Sequence, residues 1–225
     1  MKIGIIGSGV VGQTLGAALR DKGHDVVLGV REVSETELDK PRSQAETLRA
    51  WTAKTKVPVV TFAEAARFGE VLFNATGGGV CLQALAIAGE ANIGTKILVD
   101  VSNPGDFSTG VLTSLPHLTN TTSVGEEIQK AYPSARVVKT LNCAYIGVGV
   151  DASKVAEGGG DMFIAGNDPD AKTAIETLLK RDFGWKTIVD LGDIVGARAM
   201  EQFLILWFRL YTLRGTPLFG VKIVT

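Results

Sequence analysis

The sequence predicts an α/β fold, a Rossmann-type doubly wound parallel sheet followed by a short C-terminal α/β lobe. Three observations predict it. An apolar strand at residues 2–7 runs into a glycine-rich turn and then into a helical pattern at residues 10–23. The later strands are continuously apolar rather than alternating, as in a sheet that is covered on both faces. Helical stretches separate most of these strands, which favours parallel neighbours joined by right-handed crossovers.

The remaining elements follow the same criteria of apolar runs, helical spacing and turn residues. The predicted strands are residues 25–30, 57–62, 70–76, 96–101, 136–141, 161–165 and 186–190. The predicted helices are residues 44–55, 63–68, 80–91, 124–131, 169–180 and 197–213. A glycine-rich stretch at residues 147–160 interrupts this rhythm and predicts a loop. We therefore expect one domain at residues 1–142 and a small lobe at residues 143–225, whose apolar helix packs on the first.

Composition limits the classes of partner. The 225 residues carry 23 Lys and Arg against 24 Asp and Glu, a formal charge of −1, so no broad basic field favours nucleic acid. Cys81 and Cys143 lie far apart without a CxxC pair, which argues against a disulfide scaffold and a sulfur-rich metal site. The N-terminus has no signal-peptide pattern, and the longest apolar run, residues 203–208, is far too short to span a bilayer. We expect a cytoplasmic protein with small-molecule partners, no membrane partner and no bound metal.

The glycine-rich turn has the spacing of a dinucleotide-binding motif. It reads Gly7-Ser8-Gly9-Val10-Val11-Gly12. Gly7 permits the tight turn, Gly9 lets the backbone approach a diphosphate, and Gly12 allows close packing of the helix on the sheet. The open N–H groups of the helix N-terminus would then face the diphosphate. The alternative is a glycine turn that serves packing alone.

The end of the second strand indicates which dinucleotide binds. An NAD enzyme places Asp or Glu there to hydrogen-bond the ribose 2′-hydroxyl, whereas this chain reads Gly29-Val30-Arg31. Arg31 would pair with the 2′-phosphate of NADP, which a carboxylate would repel. The neighbouring Glu32 complicates this interpretation, and the alternative is that Arg31 is a solvated loop charge. Further candidates for the phosphate pocket are Lys40, Arg42 and Ser43.

Small polar residues follow three of the predicted strands. They are Asn74-Ala75-Thr76-Gly77, Ser102-Asn103-Pro104 and Leu141-Asn142-Cys143. Ligands of an open parallel sheet lie outside the carboxyl ends of its strands, so these residues would meet the nicotinamide and a second flat ring. The candidate cofactor contacts are Ala75, Thr76, Gly77, Asn103 and Asn142. The same residue types also form ordinary turns, and both interpretations stay open.

No side chain stands out as a catalytic acid or base. His24 lies in a turn on the opposite edge of the predicted sheet, which favours a structural role, and His117 has the setting of a surface residue. Cys143 follows a strand without a histidine nearby in sequence, so a small buried thiol is the simpler interpretation. Hydride transfer between two cofactors depends on proximity and orientation more than on proton transfer. The catalytic residues therefore remain unassigned.

Segments spread along the chain carry a family resemblance. They are MKIGIIGSGVVGQTLGAALRDKGHDVVLGVR, VLFNATGG, ILVDVSNP, VVKTLN, RAMEQ and FGVKIV. On these segments the chain resembles the NADPH-dependent reductases of the deazaflavin coenzyme F420. The resemblance implies that the glycine turn binds the NADP diphosphate and that Arg31 binds the 2′-phosphate. It also implies that nicotinamide and deazaflavin lie face to face over Ala75, Thr76 and Asn142. Val30 departs from the family, which often has serine there.

The resemblance implies an oxidoreductase that passes hydride between NADPH and a flat acceptor, F420 or a flavin. Two alternatives stay open. An imine or β-hydroxyacid reductase would share the N-terminal unit, but the helix at residues 197–213 has no lysine to act as its acid. A non-catalytic NADP(H) sensor would account for the missing acid or base.

The last predicted helix is apolar on more than one side. Its main stripe contains Met200, Phe203, Leu204, Leu206, Trp207, Leu210 and Tyr211 at helical spacing. Ile205 and Phe208 add apolar surface away from this stripe. One face would pack on the sheet lobe and the other would meet the same helix of a second subunit, so we expect a two-fold homodimer. In the alternative, residues 219–224 fold back and cover the second face.

Overall fold

Strands and helices alternate along residues 1–106, 112–155 and 160–224, which the computed structural model describes. Within them, the strands are β1 (Lys2–Ile6), β2 (Asp25–Val30), β3 (Val59–Thr61), β4 (Val71–Asn74), β5 (Ile97–Asp100), β6 (Gly105–Asp106), β7 (Thr113–Ser114), β8 (Arg136–Thr140), β9 (Asp161–Ala165) and β10 (Thr187–Asp190). The α-helices are α1 (Val10–Asp21), α2 (Glu35–Asp39), α3 (Leu48–Thr55), α4 (Phe62–Phe68), α5 (Cys81–Ala88), α6 (Glu90–Ile93), α7 (Val124–Ala131), α8 (Ile146–Gly149), α9 (Pro169–Phe183) and α10 (Ala197–Arg214).

Among the described strands, eight form one mostly parallel sheet with the order β10-β9-β8-β5-β4-β1-β2-β3. All neighbours from β3 to β8 are parallel. β6 and β7 form a separate antiparallel pair. The chain builds outward from β1 to β3 and then returns to place β4 on the other side of β1. This reversal of strand order confirms the Rossmann-like α/β fold, and it places the expected ligand crevice above the ends of β1 and β4.

Each face of the sheet carries its own apolar core, as continuously apolar strands require. Successive side chains of a strand point to opposite faces. Ile5 and Leu28 therefore join the cluster on one face, whereas the adjacent Ile6 and Val27 join the cluster on the other. The two cores hold the strand ends in fixed register, so the residues of a site at those ends keep fixed positions relative to one another.

β9 departs from the parallel arrangement. It runs antiparallel to β8, pairing Ala165 with Lys139 and Ile164 with Thr140, and β10 is again parallel to β9. A parallel connection needs a crossover of a dozen or more residues, usually a helix, to return the chain to the opposite edge. Between β8 and β9 the described residues form α8 and short turns, so the chain re-enters the sheet from the edge where β8 ends. The sheet is continuous across residue 142, and the domain boundary there stays a prediction.

Local departures from the predicted elements have local causes. The predicted helix at residues 80–91 divides into α5 and α6 at Gly89, whose φ of +90° stops the helix. The helix predicted from residue 44 begins at Leu48, because the Thr47 side chain accepts a hydrogen bond from Ala50 N. The loop predicted at residues 147–160 begins with the helical turn α8, and its residues 156–159 lie outside the described residues.

The C-terminal helix α10 is only partly covered. Phe219 folds back and stacks on Trp207 with ring centroids 5.4 Å apart, and Asp161 N donates a hydrogen bond to Val221 O. The second half of α10 still exposes apolar side chains, with Leu213 67% accessible. The closing segment thus covers part of the helix and leaves part open. No helix in the described ranges has the length and apolar content needed to cross a bilayer.

Candidate functional site

The three motif glycines occupy three different environments. Gly7 has a φ of +117°, and a Cβ there would lie 2.7 Å from the carbonyl oxygen of Ala75. A Cβ on Gly12 would lie 2.0 Å from the carbonyl oxygen of Gly7, so the first turn of α1 packs directly on the glycine turn. A Cβ on Gly9 would meet nothing within 4 Å. Gly9 therefore provides the open approach that a diphosphate requires, at the N-terminus of a twelve-residue helix.

Backbone hydrogen bonds fix the glycine turn between two strand ends. Gly7 N donates to Gly29 O at the end of β2, at 3.3 Å. Ala75 N, just after β4, donates to Ile6 O at the end of β1, at 2.8 Å. These bonds bring the predicted diphosphate turn, the end of β2 before Arg31 and the predicted nicotinamide contacts to one edge of the sheet.

Gln13 secures this turn from the helix side, and the sequence did not single it out. Its side chain is buried, and Nε2 donates to Ser8 O at 3.2 Å and to Glu46 O at 2.9 Å. The amide therefore ties the glycine turn to the segment that precedes α3. A polar residue among the buried positions of α1 was the signal available in the sequence.

Arg31 stands exposed where the second strand ends. Within the described residues, its guanidinium makes no hydrogen bond or ion pair, and it is accordingly free to bind an anionic ligand. Arg42 differs, because its guanidinium donates to Glu37 Oε1 and to the Glu37 and Lys40 carbonyls. Of the two arginines near the end of β2, Arg31 is therefore the one available for a 2′-phosphate, with the exposed Glu32 beside it.

Two amides join the other strand ends. Asn103 Nδ2 donates to Asn142 O at 2.9 Å, and Asn142 Nδ2 donates back to Asn103 Oδ1 at 3.0 Å. Gly78 N donates to Asn103 O at 3.1 Å, so the loop after β4 belongs to the same assembly. A Cβ on the preceding Gly77 would meet nothing within 4 Å, which leaves this loop open on its outer side. The residues after β4, β5 and β8 thus form one continuous surface.

Leu141 turns the chain sharply at the end of β8. It is buried and has a φ of +64°, a left-handed conformation that costs a non-glycine residue about 1–2 kcal/mol. This turn directs the following Asn142 toward Asn103. Strain of this kind concentrates where surrounding structure fixes a functional residue.

A buried ionic cluster lies directly beneath these strand ends. Lys139 is fully buried, and its ammonium donates to Asp100 Oδ2 at 2.7 Å, Ser102 O at 2.6 Å and Glu201 Oε1 at 2.7 Å. All three of its N–H groups therefore have an acceptor. Burial lowers the pKa of Lys139, but the two carboxylates outweigh burial and hold that pKa above its ordinary value. The lysine is accordingly a cation in the folded protein.

Glu201 connects α10 to this cluster. Its carboxylate accepts hydrogen bonds from Val124 N at 2.8 Å and Gly125 N at 3.1 Å, at the N-terminus of α7. Burial raises the pKa of Glu201, while Lys139 acts in the opposite direction. Sequence reasoning missed the cluster, although a lysine in the apolar run RVVKTL and a glutamate in an apolar helix were visible signals.

The side chains considered as acids or bases lie elsewhere or are shielded. His24 is buried at the opposite edge, with Nε2 3.0 Å from Asp182 Oδ2. His117 is exposed in a short 3-10 turn. Burial raises the pKa of the Cys143 thiol to about 12, and its Sγ lies 3.3 Å from Met200 O. None of these groups is arranged to exchange a proton with a ligand above the strand ends.

Comparison with known proteins defines the family. A family profile described as NADP oxidoreductase, coenzyme F420-dependent, matches residues 2–104. A crystal structure from Arthrobacter sp. FB24, provisionally assigned as an F420-dependent NADP-reductase, is 40% identical with a TM-score of 0.92, and the match covers 100% of both chains. The chain belongs to the coenzyme F420-dependent NADP oxidoreductase family. Membership makes it an NADP-dependent oxidoreductase and implies binding of NADP.

Two solved structures of lower identity share the fold of this chain, and one further protein is similar to it in sequence. The hypothetical protein SMa0349 from Sinorhizobium meliloti is 20% identical, with a TM-score of 0.67 over 100% of this chain and 96% of that chain. An imine reductase from Myxococcus stipitatus is 15% identical, with a TM-score of 0.60 over 95% of this chain and 62% of that chain. Metalloreductase STEAP3 of Rattus norvegicus is 28% identical over 204 residues, and the chain spans 36% of the rat protein. Fold at this distance does not carry an activity with it.

Proposed function

We propose that the protein transfers hydride between NADP(H) and a flat redox acceptor, coenzyme F420 or a flavin, at the carboxyl edge of the sheet. The open approach over Gly9 carries the proposal. It lies at the start of a helix, on the same edge as the exposed Arg31 and the small residues after β4, β5 and β8. Family membership supports both the dinucleotide and the class of acceptor.

The dinucleotide would lie along this edge with its 2′-phosphate at the end of β2 and its nicotinamide at the ends of β4, β5 and β8. Its diphosphate would occupy the space over Gly9, where the first N–H groups of α1 point outward. Arg31 would pair with the 2′-phosphate, and an NAD without this phosphate would lose that charge-assisted contact. Ala75, Thr76, Gly77, Asn103 and Asn142 would then surround the nicotinamide.

Orientation is the main contribution of the chain to the reaction. NADPH supplies the hydride when it is bound, and the acceptor needs only to lie parallel to the nicotinamide and close to it. The small side chains after the strands would leave space for two stacked rings, and the two hydrogen bonds between Asn103 and Asn142 would keep that surface in place. Such a reaction needs no protein acid or base at the strand ends.

The direct test mixes the purified protein with NADPH and, in separate anaerobic reactions, F420, FMN, FAD and a panel of imines. Stoichiometric loss of NADPH absorbance with reduction of F420 or a flavin is the expected result, and Gly9→Val is the matched variant without a diphosphate approach. NADPH binding without turnover of any acceptor would favour a sensor and contradict the proposal. Turnover of imines alone would show that the acceptor is an imine and not F420 or a flavin.

We also propose that the protein is a homodimer that pairs through the uncovered part of α10. Ile205 and Leu206 are 46% and 53% accessible after Phe219 has folded back on Trp207. An apolar strip of this kind is a self-complementary surface for a two-fold partner. Ile205→Glu should shift the protein toward monomer in light scattering, whereas Gln202→Glu on an exposed position of the same helix should not. A monomeric wild type at micromolar concentration would contradict the dimer.

A further inference from the structure

We propose that Thr76 is a specificity-determining residue, whose hydroxyl is oriented by the buried row Asn74, Asp100 and Lys139 to accept a hydrogen bond from the carboxamide N–H of nicotinamide. The inference rests on the proposed function and adds to it the direction of one hydrogen bond. The chemical class it selects is a pyridine ring with a primary amide, in preference to a ring with a ketone.

The row crosses three adjacent strands at one level. Asn74 in β4 pairs in register with Asp100 in β5, and Asp100 pairs in register with Lys139 in β8. All three residues are fully buried at the carboxyl ends of their strands: Asn74 and Asp100 are the last residues of β4 and β5, and Lys139 is the last but one of β8. The hydrogen-bond directions within this row can therefore determine those of the residues at the surface where the nicotinamide would lie.

The direction of the hydrogen bonds follows from donors that cannot reverse. Asp100 Oδ2 faces the Lys139 ammonium at 2.7 Å, and Asp100 Oδ1 faces the backbone N–H of Ser102 at 3.2 Å. Neither of these groups can accept a hydrogen bond. Both carboxylate oxygens of Asp100 are therefore acceptors, and the atom of Asn74 that lies 2.8 Å from Oδ1 must be the amide nitrogen.

This orientation of Asn74 determines the role of Thr76. The carbonyl oxygen Oδ1 of Asn74 points away from Asp100 and lies 2.7 Å from Thr76 Oγ1. An amide oxygen can only accept, so the Thr76 hydroxyl donates its single proton inward. The lone pairs of Oγ1 remain for a ligand, and Thr76 presents an acceptor and no donor.

Thr76 lies where the nicotinamide half of the dinucleotide is expected. Its Cγ2 would be 3.1 Å from a Cβ placed on Gly7, so it borders the glycine turn. The next residue, Gly77, has open space on its outer side. A carboxamide brought to this position offers two N–H donors to the Thr76 acceptor, whereas a methyl ketone offers none.

The test compares the binding of NADP+ with that of its 3-acetylpyridine analogue, in which a methyl ketone replaces the carboxamide, by titration calorimetry. Wild type should bind NADP+ about fivefold more tightly, the range of one net hydrogen bond. Thr76→Ser should retain this ratio, because it keeps the hydroxyl. Thr76→Val should reduce the ratio to about one, since the hydrogen bond accounts for it.

Asn74→Leu tests the orientation by the buried row. It leaves Asp100 with Lys139 and Ser102 as donors but frees the Thr76 hydroxyl to donate outward, so the ratio should also fall to about one. A ratio near one in wild type, an unchanged ratio in Thr76→Val, or an unchanged ratio in folded Asn74→Leu would each overturn the inference. Wild type that binds neither dinucleotide would instead contradict the proposed function, so the two failures are distinguishable.

Discussion

The glycine turn and the buried ionic cluster serve the same edge of the sheet by opposite means. The turn works through missing side chains: Gly9 leaves space, and Gly12 lets the helix approach a carbonyl oxygen. The cluster works through side chains that satisfy one another: Lys139 is fully buried, and each of its N–H groups has an acceptor. In the proposed complex, the glycine turn would receive the ligand, and the cluster would hold the strand ends on which the ligand rests.

The difference shows which kind of site tolerates change. A site formed by backbone atoms, such as the glycine turn, should lose ligand binding when a side chain is added, while the residues around it still pack. A buried charge cluster loses stability when one charged group is removed. The remaining charges stay desolvated, but the attraction that compensated for their desolvation is gone. Substitutions in the turn and in the cluster should therefore separate binding from folding.

The largest effect is expected for Lys139→Met. It would leave the buried carboxylates of Asp100 and Glu201 without their cation, and breaking a buried ion pair in this way destabilises a protein by about 3–5 kcal/mol. The matched control is Lys180→Met, which removes a half-exposed lysine paired with Glu176 on α9 and should cost about 0.5 kcal/mol or less. Urea unfolding measures both. Equal losses of unfolding free energy in the two variants would contradict the expectation that the buried cluster contributes more to stability than a surface ion pair.

Gly9→Val should show the reverse behaviour. NADPH binding should be lost, because a branched side chain would occupy the approach of the diphosphate. The free energy of unfolding should change by about 1 kcal/mol or less, because nothing lies within 4 Å of the new Cβ. Gly12→Ala is the comparison, since its Cβ would lie 2.0 Å from Gly7 O and should disturb the fold as well. Unchanged NADPH affinity in a folded Gly9→Val protein would exclude the turn from the site.

The same contrast explains what could be predicted from the sequence. The glycine turn is a local pattern in which each spacing has a steric reason, and Gly7, Gly9 and Gly12 could be assigned their environments before the fold was known. The partners Lys139 and Asp100 are 39 residues apart, and only the strand register brings them together. Their charges in apolar strands signalled burial but not pairing.

The direction of β9 was beyond prediction for a related reason. Strand direction there depends on whether the preceding segment forms a crossover helix, and a glycine-rich stretch is compatible with several short turns. Of the candidate contacts, Asn103 and Asn142 could be chosen as strand-end residues, but their reciprocal amide hydrogen bonds depend on the left-handed turn at Leu141. Nothing in the residue type of leucine indicates such a turn.

Arg31→Glu tests the ligand-binding region through its selectivity between NADPH and NADH. Loss of a charged hydrogen bond should weaken NADPH binding by about 1.5–3 kcal/mol, while NADH binding should change little or improve. Stability should not change, because Arg31 is exposed. Titration calorimetry with both dinucleotides measures the effect, and Glu32→Gln controls for a charge change at the adjacent position. An equal loss for NADPH and NADH would reject Arg31 as the selector.

A smaller ionic cluster on the opposite edge gives the weakest and most pH-dependent effect. Arg181 and then His24 hold the pKa of Asp182 below its ordinary value, so its stabilising contribution is present above an unfolded pKa of about 3.9 and is lost as the pH falls through the folded pKa. Asp182→Asn should lower the free energy of unfolding by about 1–2 kcal/mol at neutral pH. The difference from wild type should shrink at about pH 3.

Urea unfolding at both pH values measures this effect, with Asp170→Asn, at an exposed position on the same helix, as the control. A difference between Asp182→Asn and wild type that persists unchanged in acid would show that packing, rather than charge, accounts for it.

The seam between β8 and β9 has a mechanical consequence. Two residue pairs join these strands, whereas four join β5 to β8. A pulling force applied through the C-terminus would load α10 first, where the contact between Lys139 and Glu201 holds this helix to the sheet from within. Once that contact breaks, the force would reach the narrow seam between β8 and β9. Under tension the last two strands would detach first, and the glycine turn would remain folded after that first rupture.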